Sequence, residues 1–151
     1  MKKLFTISLL VLISLGVRAQ ETMQQVMEKR AREMHRVICL SDKEQWKKFI
    51  KENYTQAFID RPMRAQVSTS DDSGTTVEKK DTPSNLENKV SMFERLHGDF
   101  GGTKIEYIKS VDDKLEMAVS GEGMKGAFSM KFNTTKPYLI ETMGIRLEGN
   151  R

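Results

Sequence analysis

The sequence predicts an α+β domain: three N-terminal helices packed on a curved, cone-like meander of four antiparallel strands. Three observations predict it. Up to Gly98 the apolar residues recur at helical spacing, beyond Gly102 they alternate residue by residue, and short turns join the alternating runs. Helices first and a meander afterwards is an α+β plan, and an antiparallel sheet of this kind buries one face.

The first helix is expected from Thr22 to Ile38, with Met23, Val26, Met27, Ala31, Met34, Val37 and Ile38 on one face. Arg30 falls inside this stripe. It reads either as a side chain snorkelling from the core edge or as an anion-binding group. Ser41 with Glu44 reads as a capping box opening a second helix that carries Trp46, Phe49, Ile50 and Tyr54, with Ala57, Phe58 and Ile59 extending the pattern until Pro62. Residues 67–82 are dominated by Ser, Thr, Asp, Gly and Lys, with only Val67 and Val77 apolar. Such a stretch cannot offset the entropy of ordering, so a mobile loop inside the domain is expected. The third helix starts around Thr82-Pro83-Ser84, with Ser84 and Glu87 as a second capping box. Leu86, Val90, Phe93 and Leu96 line its apolar face, and Gly98 ends it.

Four strands follow. Ile105 and Tyr107 mark the inner face of the first, Leu115, Met117 and Val119 that of the second, and Phe128, Met130 and Phe132 that of the third. Leu139, Met143, Ile145 and Leu147 mark the fourth, after a break at Pro137. Turns fall at Asp112-Asp113 and at Gly121-Glu122-Gly123.

Residues 1–19 read as a cleavable signal peptide. Lys2 and Lys3 precede an uncharged apolar run from Leu4 to Val17, and Val17-Arg18-Ala19 places small residues where a signal peptidase cuts before Gln20. The run is shorter than the roughly 20 residues of a bilayer span, so no membrane span is expected after cleavage. The expected localisation is periplasmic or secreted, with residues 20–151 forming one domain. Without the signal, 22 basic residues face 21 acidic ones. That near-balance argues against nucleic-acid binding, which needs a basic excess. Cys39 is the single cysteine, so no internal disulfide is available.

Three segments carry a family resemblance: LSDKEQWKKFIKENYTQAFID (Leu40–Asp60), FERLHGDFGGTKIEYIKS (Phe93–Ser110) and IETMGIRLE (Ile140–Glu148). With the order of elements they resemble the nuclear transport factor 2-like (cystatin-like cone) superfamily. The nearest branch is an accessory domain of secreted bacterial β-lactamase-fold hydrolases and C-terminal-processing-type peptidases. The shared features are structural: the helix ending at Gly98, an aromatic turn residue at Phe100, and Gly101-Gly102 leading into the first strand. The polar loop is longer than that branch usually carries, and the chain stops at Arg151 where a hydrolase would follow. The resemblance implies a binding or interaction module and offers no catalytic motif. Some superfamily enzymes place a carboxylate and a tyrosine inside the cone, which makes Glu141 as base, with Tyr107, the alternative: a small isomerase or lyase.

The residues narrow these readings. There is no Gly-x-Ser-x-Gly elbow, and the only histidines are His35 and His97. His97, at a helix end, suits the dipole there. His35 and Cys39 lie four apart on one helix and could share an ion, but no further ligands accompany them, so no metal and no cofactor is expected. Glu141 points inward if the last strand keeps its phase, and outward if a bulge follows Pro137. The ten methionines serve as core filler or as the walls of a malleable apolar cleft. The candidate ligand-binding set is Trp46, Tyr54, Tyr107, Met117, Phe128, Met130 and Glu141. The partner is a small apolar ligand or an exported protein, and a homodimer is compatible with the sequence.

Overall fold

The computed structural model describes residues 21–62, 84–121 and 123–148. The signal segment, the polar loop at 67–82 and the start of the third predicted helix at 82–83 lie outside these residues. The element order is α1 (Met23–Cys39), α2 (Lys43–Asn53), α3 (Gln56–Asp60), α4 (Asn85–Phe100), β1 (Lys104–Val111), β2 (Lys114–Gly121), β3 (Met124–Phe132) and β4 (Ile140–Glu148). The strands form one antiparallel meander in the order β1-β2-β3-β4, so the α+β plan holds.

Each helix starts at a side-chain cap that satisfies backbone N–H groups left without an intrahelical partner. Thr22 and Gln25 form a capping box on α1, and Ser84 and Glu87 form the expected one on α4. At α2 the cap is Asp42 rather than Ser41: its carboxylate accepts from the N–H groups of Glu44 and Gln45. Both residue types cap well, and the carboxylate one position on takes the role. Tyr54 caps the C-terminus of α2, and Ala57, Phe58 and Ile59 belong to the separate short helix α3.

Gly98 does not end the third predicted helix. α4 runs on to Phe100, with Gly101 as its C-cap. The reason lies in the sheet: a Cβ on Gly126 would come within 2.9 Å of the Phe100 ring, which rests on that glycine and meets Phe128 edge-on at 4.9 Å. One extra half-turn delivers Phe100 to this notch.

α1 lies over β1 and β2, α4 touches β2, and α3 packs on the start of β4. A parallel bridge joins Tyr54 to Ile140, and the Thr55 N–H donates to the Ile140 carbonyl at 3.0 Å, pinning the α2–α3 joint to β4. The core between the layers draws on Met27, Met34, Ile38, Ile50, Phe93, Met117, Phe128 and Phe132, among others. The described elements on both sides of residues 63–83 share this one core. Among the described residues no helix is long and apolar enough to cross a membrane.

Two bulges redirect the edge strands. In β1 the register shifts between Ile105 and Tyr107, so Ile105 and Ile108 face the helices and Tyr107 faces away, 46% exposed. In β4 the shift leaves Glu141 as the unpaired residue between Ile140, opposite Phe132, and Thr142, opposite Lys131. The inner phase of β4 therefore begins at Ile140 instead of Leu139.

Candidate functional site

Where the helices cover it, the inner face of the sheet is filled by core side chains. Trp46, Tyr54, Met117, Phe128 and Met130, expected to line a cleft, are all buried within the core. Their polar atoms are spent internally. Trp46 Nε1 donates to the Val37 carbonyl at 2.7 Å, and the Tyr54 hydroxyl points at the sulfurs of Met143 and Met34, at 3.3 and 3.6 Å. Burial pushes the Tyr54 hydroxyl pKa well up, so it stays protonated. Tyr54 stacks on Phe58 with ring centres 4.5 Å apart. These side chains are core, and the open cleft expected of them is filled by the residues themselves.

The other two members of that set lie outside the cone: this corrects the inward placement of Tyr107, while Glu141 takes the outward turn expected of a bulge after Pro137. The Tyr107 hydroxyl donates to Glu116 Oε1 at 2.7 Å, and this bond raises its pKa. Glu141 sits on its bulge and pairs with Lys131 at 3.1 Å, while Lys131 also approaches Asp113 at 3.8 Å. The two carboxylates hold the Lys131 ammonium above its usual pKa, with Glu141 the larger cause. A general base needs apolar surroundings or a poised partner. Glu141 has a solvated ion pair instead, so the acid/base alternative loses its geometry.

His35 and Cys39 come together with Thr103, a residue that spacing alone did not single out. The Thr103 hydroxyl donates to the Phe100 carbonyl at 2.7 Å, leaving its oxygen to accept from His35 Nε2 at 3.2 Å. Cys39 Sγ lies 3.7 Å from His35 Nε2 and 3.9 Å from the Thr103 carbonyl. Burial raises the thiol pKa and lowers the imidazole pKa. Both groups are thus held neutral, the reverse of the thiolate–imidazolium pairing that activates a nucleophile. The trio ties α1 to the start of β1. Among the described residues, no three His, Cys, Asp or Glu side chains converge to hold a metal.

Arg30 stands half-buried at the core edge, with its head group turned toward the surface. Its guanidinium ties α1 to two segments, donating to Asn53 Oδ1 and to the Glu52 carbonyl at 3.4 Å at the end of α2, and to the Pro137 carbonyl at 2.8 Å. Lys89 is a buried cation that the apolar-face reading passed over. Its ammonium donates to the Arg61 carbonyl at 3.0 Å and stands 4.6 Å from the Phe58 ring centre. The signal was present: Lys89 lies three residues after Leu86 and four before Phe93, in phase with the buried face.

The molecule offers two open surfaces to solvent: a charged groove of about 710 Å³ along α1, edged by Arg30, Arg32, Glu33 and Arg36, and the outer sheet face. The centre of the sheet face is low, because Ala118 and Ala127 stand opposite each other and Gly144 faces Ser129. A shallow groove of about 640 Å³ crosses it, edged by Lys109, Val111, Lys114, Ser129, Thr142 and Gly144. Tyr107, Glu116 and Arg146 form a polar chain beside it, with Arg146 3.8 Å from Glu116. Fold and surface together define an α+β domain with a packed interior and a polar, open sheet face. No family model matches the chain, and no curated protein matches it.

Proposed function

We propose that the chain is an exported, non-catalytic interaction module that meets its partner with its surface. The observation carrying this reading is the packed interior: the seven residues offered for ligand capture are either core or outward-facing. A pocket that is full of its own side chains leaves the open sheet face as the working surface. The Lys2-Lys3, apolar-run, Val17-Arg18-Ala19 pattern supports a place in the periplasm or outside the cell. The resemblance to accessory domains of secreted hydrolases supports a separately exported hydrolase as partner. The Lys109, Val111 and Lys114 rim joins an exposed apolar group to two cations, a combination that suits a protein surface better than an apolar small molecule.

The test is to cross-link the chain in the cells that export it and identify what it holds. The reading expects an exported enzyme whose activity changes when the chain is added back, with the effect lost in Val111→Asp. Turnover of a small substrate by the chain alone would overturn it. N-terminal sequencing of exported material should begin at or near Gln20, and full-length protein retained in the cytoplasm would refute the export step.

A further inference from the structure

A meander has two edges, and this one treats them differently. At the β1 edge the ladder is broken by the bulge at Glu106, Lys104 and Lys109 stand along the strand, and α1 packs beside it. Bulges and edge charges discourage pairing with another chain. At the β4 edge the bulge lies at the very start. From Thr142 to Glu148 the strand pairs with β3 without interruption and contains no proline. On its inner side, beyond Met143, Ile145 is 42% exposed and Leu147 is 59% exposed. These two side chains share a face with the core, but among the described residues they have no comparable cover.

We propose that the β4 edge is a self-association surface, on which two copies of this chain pair Thr142–Glu148 antiparallel and join their sheets into one of eight strands. The strand is its own complement in one register. A two-fold axis through Ile145 sets Ile145 against Ile145, Met143 against Leu147, Gly144 against Arg146 and Thr142 against Glu148. All seven residues pair, and both inner faces stay on one side, as a shared core face requires. Apolar residues meet apolar residues on that face. On the outer face no like charges oppose one another, and each Arg146 lies over the one residue without a side chain.

Neighbouring registers fare worse. A shift of two residues toward the C-terminus sets Arg146 against Arg146, a destabilising pair. The opposite shift sets Glu148 against Ile140, which is already committed to Tyr54 and Thr55. A four-residue shift opposes Arg146 to Glu148 but pairs only three described residues. An isologous contact of this kind closes as a dimer and leaves the outer face free for another protein.

The test is sedimentation equilibrium of the purified chain from micromolar to submillimolar concentration, with Ile145→Lys and Leu147→Lys alongside. Both side chains are exposed in the single copy, so unfolding temperatures measured on dilute samples should be nearly unchanged. The wild type should form a reversible dimer, and each substitution should weaken it on the order of 100-fold, since two copies lose the contact together. Amide exchange at 142–148 should slow as concentration rises, and exchange along β1 should not. A wild type that is monomeric throughout would overturn the proposal, whether its β4 amides exchange fast or are protected by another segment of the same chain. So would a dimer that both substitutions leave intact. Neither result bears on whether an exported hydrolase is the partner, which the cross-linking experiment decides.

Discussion

Phe128 and Ile145 face each other across β3 and β4 on the same side of the sheet, yet Phe128 is fully buried and Ile145 is 42% exposed. Phe128 has the Phe100 ring against it. Ile145 lies one strand further out, five residues beyond Ile140, where the α2–α3 joint is pinned to β4. Alternation along a strand assigns a residue to a face. Whether that face is covered depends on where a helix ends, and here the end of α4 is set by a glycine notch in β3.

The largest effect should separate these two positions. Phe128→Ala should cost about 3–5 kcal/mol in urea unfolding, as expected for a large core truncation. Ile145→Ala, measured at a concentration where the chain is monomeric, should stay within about 1 kcal/mol. Equal costs would break the contrast between a sealed and an open end of one face.

Next comes the clamp at the sealed end. Arg30→Met keeps the apolar stem but removes the donors to Asn53, Glu52 and Pro137. It should cost on the order of 1 kcal/mol, because the part-buried Asn53 loses its charged donor while the Glu52 and Pro137 carbonyls can turn to water. Arg30→Lys should recover little of this, since one ammonium cannot span both segments. Full recovery would mean that only the charge matters.

A smaller effect should appear with pH. Burial holds His35 below its ordinary 6.5, so the unfolded chain binds the proton more readily than the folded one. The neutral-His contribution is complete above the ordinary value and is lost as pH falls through the folded value. Unfolding temperature should therefore decline as pH falls from the ordinary value through the folded one, less so in His35→Gln. Glu33, held low chiefly by its hydrogen bond from Arg36, acts in the same direction only in the carboxylate range. A decline of the same size in the variant would remove His35 as its source.

The smallest effect is expected on the outer face. Lys131→Ala breaks exposed, solvent-screened pairs with Glu141 and Asp113 and should leave the unfolding midpoint nearly unchanged. Met130→Ala, one residue away and buried, should cost about 2–5 kcal/mol. Similar values at 130 and 131 would contradict the strand phase.

The same contrast explains what the sequence made legible. The inner faces of β2 and β3 could be read directly, because Leu115, Met117 and Val119, then Phe128, Met130 and Phe132, keep strict alternation through a continuous ladder. β1 could not, because its bulge falls at Glu106, where no glycine or proline marks a break; in β4 the break at Pro137 left the face of Glu141 open between inward and outward. One unpaired residue reverses the face of its neighbour, and this turned Tyr107 and Glu141 outward. The helix at Gly98 misled for a different reason. A glycine suits a helix end, but the contact of Phe100 with Gly126, remote in sequence, outweighs that local preference. The candidate cleft failed because periodicity identifies inward residues without telling whether space remains between them. Trp46, Tyr54, Met117, Phe128 and Met130 were placed on the correct side and fill it.

The claim at the centre of this account is that the interior is closed and the surface does the work. Methionine methyl resonances report on it directly, since Met27, Met34, Met117 and Met130 are buried between sheet and helices. Titrating the chain with fatty acids and other apolar ligands should leave these four signals unmoved, while an exported partner of the kind proposed above should shift signals on the outer face. A saturable shift of Met117 and Met130 with an apolar ligand would show a pocket where the account places packed core.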